Sequence, residues 1–371
     1  MDPIYAIADT SQIISPALVI YKDLLEQNLE RMLAIAGGPE RLRPHCKTHK
    51  MPAVTRLELA RGIGKHKCAT LAEAEMLAEA GVKDIFLAYN LVGPNIARTA
   101  AFRNRFPHVA LLLQADHPAP IAQLGAAMRA AGHEAEVLLD LDVGQHRTGV
   151  APGLPARELY ATLARTPGLK AGGFHVYDGH QHQRSLQERA AAIDAQWVNV
   201  LALRQELEQA GLPVARIVCG GTGSFPIYAR KDVPGLELSP GTCIFNDAGY
   251  ADAFPDLVFP PAALLLTRVI SRPASDRVTF DLGYKAVASD PPVGKRLTFP
   301  DLPDAEQVLQ NEEHLVVCTA QASRFAPGDE QFAMPRHICP TVALHRQVYV
   351  VSGGRLVDRW DVVARDRWLT I

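Results

Sequence analysis

Eight short apolar runs between about residues 40 and 245, each followed by a longer amphipathic stretch, limit what this chain can become more than any other feature of it. The runs are LRPH, KHKCA, IFLAY, VALLLQ, EVLLDLDV, GGFHV, RIVCGG and LELSPG. Between them, LAEAEMLAEAG from Leu71 and the long stretch from Ser185 place apolar residues at helical spacing. Strand followed by helix, repeated eight times, predicts a parallel (β/α)8 barrel of the TIM type; an open doubly wound sheet is the other solution to the same pattern. After about residue 258 the pattern changes to β-branched runs broken by Pro, Gly and Asp: AALLLTRVISRP, DRVTFDLG, HLVVCTA, RHICPTVALHRQVYVVSGG and RLVDRWDVVA. Residues 259–371, joined by 1–21 through a strand-like segment near Ser15 to Tyr21, are therefore expected to form a mostly antiparallel β domain, with 22–258 as the barrel. A length of 371 residues suits that division, because single cores stop growing at roughly 250 to 300 residues.

Composition narrows the partners. No apolar run approaches the roughly 18 residues needed to cross a bilayer, so no membrane span is expected. A net charge of -2 offers no extended basic surface, which argues against nucleic acid and for small molecules. The opening MDPIYAIADTSQ has neither the basic nor the apolar region of an export signal, and a cytoplasmic location is the expectation. The 6 cysteines are scattered without a CxxC spacing, so most are expected to be buried thiols. Trp197, Trp360 and Trp368 lack an accompanying basic stripe and read as packing residues.

In a barrel of this type, reactive groups collect where strands end and βα loops begin. Strand one ends in His45-Cys46-Lys47, strand three in Tyr89-Asn90, strand five in Asp142 to Arg147, and strand six in Tyr177 to His182. Strand seven ends in Gly220-Gly221-Thr222-Gly223-Ser224 and strand eight in Pro240-Gly241-Thr242. A lysine at the mouth, such as Lys47, can lose its proton by desolvation and attack an aldehyde; a solvated lysine is the other reading of the position. The GGTGS turn lets backbone N–H groups approach a phosphate, and with Gly241-Thr242 it forms a candidate phosphate cup. In RHICPTV, alternation along a strand puts His337 and Cys339 on one face, where they could grip one ion or form an ordinary buried pair.

Together, RPHCKTHK from Arg43, VYDG from Val176, GGTGS from Gly220 and PRHICPTV from Pro335 resemble the D-threonine aldolase and eukaryotic-type D-serine dehydratase family over nearly the whole chain. The resemblance implies an alanine-racemase-like fold, a barrel binding pyridoxal 5'-phosphate, a β domain and a homodimer with active sites near the subunit interface. It implies Lys47 as the Schiff-base lysine, Tyr177 near the pyridine nitrogen, Arg147 beneath the cofactor, and Thr222, Gly223, Ser224, Gly241 and Thr242 around the phosphate. His337 and Cys339 become the metal ligands. The pair Gln181-His182 matches the family's QH pair with a one-residue shortening, which makes His182 or His180 the expected base. His45 and His49 are expected to shape the lysine pocket, and DLGYK, Asp281 to Lys285, resembles a β-domain segment expected to reach the partner subunit's cofactor.

Which bond is cut depends on finer signals. Family aldolases typically carry Asp where Cys339 stands and bind manganese, whereas the dehydratases pair His with Cys around zinc; a thiolate itself favours zinc. LVGP after strand three and DVGQ after strand five resemble the bacterial D-threonine aldolases. The expectation is therefore a lyase cleaving a D-β-hydroxy-α-amino acid to glycine and an aldehyde, with zinc favoured over manganese. A D-serine dehydratase giving pyruvate and ammonia is the alternative that Cys339 supports. A noncatalytic protein of the kind that buffers the cofactor is disfavoured, because such chains normally lack the β domain.

Overall fold

In the computed structural model, which describes residues 2–371, the strands fall into two sheets. In chain order they are β1 (Ala17–Tyr21), β2 (Lys65–Cys68), β3 (Asp84–Asn90), β4 (Ala110–Ala115), β5 (Ala135–Leu141), β6 (Leu169–Val176), β7 (Arg216–Cys219) and β8 (Leu236–Leu238). There follow β9 (Ala263–Ala274), β10 (Arg277–Phe280), β11 (Leu297–Thr298), β12 (Glu306–Gln310), β13 (Leu315–Cys318), β14 (Glu330–Pro335), β15 (Gln347–Ser352) and β16 (Arg355–Asp361). Contacts divide the chain into a barrel unit of Leu33–Lys47, Pro52–Gly241 and Asp366–Ile371, and a second unit of the segment up to Met32, Thr48–Met51 and Thr242–Arg365. The chain thus leaves the barrel unit at Gly241, ahead of the expected boundary at 258. Among the described residues no helix is long and apolar enough to cross a membrane.

Strands β2 to β8 are parallel and lie side by side in chain order, with helices such as Leu71–Glu79 and Leu186–Gln209 in the connections. The first expected strand, LRPH, is not a ladder strand, because Pro44 has no N–H to donate. Residues 42–45 still act as the eighth stave. Arg43 N–H donates to Leu238 C=O, His45 N–H to Pro240 C=O, and Lys67 N–H to Pro44 C=O, so the segment bridges β8 and β2 and closes the ring. Arg43, wholly buried, ties the closure by donating to Glu237 on β8 at 2.5 Å and to Asp84 on β3 at 2.7 Å, while Lys65 donates to Glu237 at 2.9 Å.

Side chains two residues apart on a strand share a face, and this layers the barrel interior. Phe86, Leu112, Leu138 and Val218 form an apolar layer. Two residues further along their strands, Gln114 and Asp140 join Lys67 and His175 in a buried polar layer. His175 owes its place there to a β-bulge. Val137 pairs with Ala171 but Leu138 pairs with Gly173, leaving Gly172 as the extra residue and aligning Asp140 with His175. Only glycine fits at 173, where φ is +123° and a Cβ would come within 1.9 Å of the Arg216 carbonyl oxygen.

The second unit is built on a sheet of order β12-β13-β10-β9-β1-β15-β16, with β14 also pairing with β9. β1 runs antiparallel to β9 and parallel to β15, so the N-terminal strand expected near Ser15 to Tyr21 does enter this sheet. Its core gathers Tyr5, Val19, Tyr21, Leu264, Leu266 and Phe332. One expectation fails here: RHICPTV is not a strand. His337 is the N-cap of a helix, Ile338–Leu344, that carries Cys339, because Pro340 and the turn after β14 favour a helix start over a continued ladder. Of the tryptophans, Trp197 packs edge-on against Tyr228 in the core, whereas Trp368 is exposed.

Candidate active site

A cavity of about 500 Å³ opens at the C-terminal ends of the barrel strands. Lys47, on a 3-10 turn, Arg147, in the loop after β5, and Tyr177, just past β6, all line it. The Lys47 Nζ lies 5.9 Å and the Arg147 guanidinium 4.9 Å from the Tyr177 ring centre. Tyr177 can lie there because its neighbour is small: a Cβ on Gly179 would stand 2.5 Å from the ring. His45 lines the cavity and accepts the Lys47 backbone N–H at 3.3 Å, fixing the turn that presents the lysine. His49 belongs to the second unit, where it is buried and accepts the Met51 N–H at 3.0 Å. No carboxylate is among the described residues that line the cavity.

Beneath the mouth lies a chain of buried polar groups that sequence reasoning passed over. Lys67 Nζ is 3.4 Å from His175 Nε2, His175 Nδ1 is 2.7 Å from Asp140 Oδ1, and Gln114 donates to Asp140 Oδ2 at 3.2 Å. A carboxylate only accepts, so the His175 proton sits on Nδ1 and Nε2 is left to accept from Lys67. Burial and the neighbouring Lys67 hold the His175 ring below its ordinary pKa, against the pull of Asp140. For Lys67 the same burial, together with the charge on Lys47, brings the amine down to about 7. The signal available in the sequence was polar residues at inward positions of strands that are otherwise apolar: Lys67 in KHKCA, Asp140 in EVLLDLDV, His175 in GGFHV.

Loop chemistry sets the remaining positions. Asp142 accepts N–H groups from Gly144 at 2.9 Å and His146 at 3.0 Å, folding DVGQHR so that Arg147 faces the cavity. In GGTGS, the Ser224 hydroxyl donates to buried Asp178 at 2.7 Å and accepts the Gly221 N–H at 3.0 Å. Its proton is taken up inside the turn, so Ser224 shapes the loop rather than offering a hydroxyl hydrogen to a phosphate. Thr222 Oγ1 accepts the Gly241 N–H at 3.3 Å, which joins the two halves of the expected cup. Thr242 falls in the second unit, 3.6 Å from the Cys339 sulfur.

In that unit His337 and Cys339 do come together, by a helix start and not by strand alternation. Their side chains are hydrogen-bonded, His337 Nδ1 meets Asp290 Oδ2 at 2.5 Å, and the Cys339 sulfur lies 3.3 Å from Thr48 Oγ1. Burial disfavours the imidazolium, yet Cys339 and Asp290 more than offset it and push His337 up to about 9. A histidine whose second nitrogen is held by a carboxylate, beside a thiol, is a donor set suited to zinc, with Asp290 as the orienting partner. Asp290 sits in a Pro- and Gly-rich loop, where no pattern in the sequence marked it.

Comparison with known proteins agrees with both units. Residues 20–248 match the family described as alanine racemase, N-terminal domain, and residues 262–351 match the putative serine dehydratase domain. The chain is 32% identical to a D-threonine aldolase of Arthrobacter sp over 95% of its length and 92% of that protein's. It belongs to the D-threonine aldolase and D-serine dehydratase family. Among solved members, the D-threonine aldolase from Filomicrobium marinum superposes with a TM-score of 0.87 at 31% identity, covering 95% of this chain and 96% of that one. The D-threo-3-hydroxyaspartate dehydratase from Delftia sp. HT23 gives 0.80 at 26%, covering 94% and 97%; a cysteine-to-alanine variant of a dehydratase of that name is described as the metal-free form.

Other family-derived positions lie elsewhere. His182 is exposed, and neither it nor His180 lines the cavity; His180 instead sits 3.0 Å from the Gln181 amide nitrogen. In DLGYK, Asp281 accepts from Thr267 at 2.6 Å and from Ser15 at 2.5 Å, and Lys285 pairs with Glu312 at 2.5 Å, so both charged groups have partners within their own unit. A further group, His45, Cys46 and Glu73, has potential ligand atoms within 4.8 Å of one another. Glu73 already accepts the Ala69 N–H at 2.6 Å and the Cys46 thiol at 3.7 Å, at the start of a helix capped by Thr70, which marks the group as a helix-start contact.

Proposed function

We propose that this chain is a pyridoxal-phosphate- and divalent-metal-dependent lyase of D-β-hydroxy-α-amino acids, working as a homodimeric, cytoplasmic D-threonine aldolase that yields glycine and an aldehyde. One observation carries the reading: the Lys47 amine and the Arg147 guanidinium converge on Tyr177 in a cavity of about 500 Å³ that no carboxylate lines among the described residues. The residues present fit an anionic aromatic aldehyde, since the volume suits a cofactor, the cations suit its charge, and Thr222 with the GGTGS backbone suits its phosphate. Once bound, pyridoxal phosphate supplies an electron sink for charge left on the carbon that bears the amino group. Lys47 attaches it, Tyr177 packs at the ring, Arg147 compensates its anionic oxygen, and Gly223 and Gly241 keep the cup open.

The donor set of His337 and Cys339, oriented by Asp290, fits zinc better than the harder manganese. An ion held there would supply Lewis acidity toward a hydroxyl oxygen. Cys339 also favours the second reading, a D-serine dehydratase, because a His and Cys pair suited to zinc is the dehydratase pattern. Incubating metal-replete enzyme with D-threonine and D-serine separately tests the choice. Acetaldehyde with glycine supports the aldolase, pyruvate with ammonia supports the dehydratase, and full activity in a strong chelator removes the metal from either.

A further inference from the structure

The cavity holds one amine more than cofactor attachment uses. Lys67 projects from β2 into the barrel with its Nζ 5.8 Å from the Tyr177 ring centre, the same ring that Lys47 approaches at 5.9 Å. Because Asp140 takes the Nδ1–H of His175, Nε2 presents a lone pair that asks a single hydrogen of Lys67. A neutral amine meets that demand in full and still keeps its own lone pair. The groups facing Lys67 are Lys47 on its turn, Arg147 and Asp140 from the β5 side, His175 and Tyr177 from β6, and Cys219 from β7.

We propose that Lys67 is the proton acceptor for Lys47: it takes the proton that Lys47 must lose before its amine can attack an aldehyde, and His175 with Asp140 hold it in place for that exchange. The inference rests on the reading of Lys47 as the attachment lysine. Its balance is simple. The proton passes from Lys47 Nζ to Lys67 Nζ, directly or through one water, and the freed lone pair forms a C–N bond to the aldehyde carbon. The carbonyl oxygen leaves as water with the two hydrogens that remained on the Lys47 nitrogen, and no oxidant or co-reactant is needed. An amine brought down to about 7 by burial and by Lys47, against Cys219 and Asp140, is matched to accept and return a proton near neutrality.

The experiment follows attachment of pyridoxal phosphate to the apo-protein by stopped-flow absorbance, with borohydride trapping and peptide mapping, across a pH range. Lys67→Met removes the amine but keeps an apolar chain of similar length; Lys67→Arg keeps the cation but cannot accept a proton. Both variants should attach the cofactor at Lys47 about 10²-fold more slowly near neutrality. Both should converge on the wild type in strongly alkaline buffer, where hydroxide takes over as the proton acceptor. Wild-type kinetics in either variant at neutral pH overturns the proposal. So does a deficit that persists undiminished at alkaline pH, since that marks a packing role. If the wild type itself gives no reduced adduct at Lys47, the attachment reading falls first and the inference with it. An adduct at Lys47 with unaltered variants sinks the inference alone.

Discussion

At the N-terminal ends of the barrel strands, Arg43 and Lys65 meet Glu237 and Asp84 in direct ion pairs; at the C-terminal ends, Lys47, Lys67 and Arg147 surround Tyr177 and face a cavity that no carboxylate lines among the described residues. Both ends gather charge, but only the first neutralises it in place. Desolvated charge without a partner is costly, so a fold keeps it where a ligand of opposite sign completes the balance. Matched charge at the closed end therefore reads as structure, and surplus positive charge at the open end reads as a site for an anion.

The largest effect that would break this contrast is at the open end. Lys47→Ala should lower lyase activity by about 10⁴-fold and remove the borohydride-fixed cofactor from the peptide after Arg43; an adduct persisting there by mass spectrometry would end the assignment. At the closed end, Glu237→Ala leaves buried Arg43 with Asp84 as its remaining carboxylate and should cost about 3 kcal/mol in urea unfolding. Burial works against the Glu237 carboxylate, yet Arg43 and Lys65 hold it below its ordinary value. Its contribution is thus complete above the unfolded pKa of about 4.3 and fades as pH falls through the lower folded one.

Smaller effects sharpen the comparison. Asp290→Asn should weaken zinc binding by about 10- to 100-fold in a competition titration while pyridoxal phosphate still binds, because it removes only the carboxylate that orients His337. Lys67 gives a pH signature of the same sign as that of Glu237, in a higher window. Its folded pKa of about 7 lies below the unfolded value of about 10.4, so the unfolded chain holds more protons between them and apo-protein stability should rise with pH across that window. Lys67→Met should flatten the rise, and a slope unchanged in the variant would assign it to other groups. Least of all, His182→Ala, exposed and outside the cavity, should change activity less than about threefold.

Much of the barrel was legible because period and length report burial directly: seven of the eight apolar runs became ladder strands, and the eighth closed the ring despite Pro44. Lys47, Arg147 and Tyr177 were legible as strand-end polar residues joined to family motifs, and the structure gathers them in one cavity. His337 and Cys339 were correctly paired for an incorrect reason, since two residues flanking one position can be brought together by a helix start as well as by a strand. The Lys67–His175–Asp140 chain was missed because each member looks like an isolated exception within its own strand. Their meeting depends on an offset between strands that linear periodicity does not encode.

That offset is a single glycine. Were Gly172 to pair in the ladder instead of bulging from it, Leu138 would meet Gly172 and Asp140 would stand opposite Phe174, turning an ionisable interior into a greasy one with no edit to the chain. The electrical character of the chamber floor is in this sense a matter of counting along a strand: whether one residue of slack bulges or pairs selects which neighbour an acid meets.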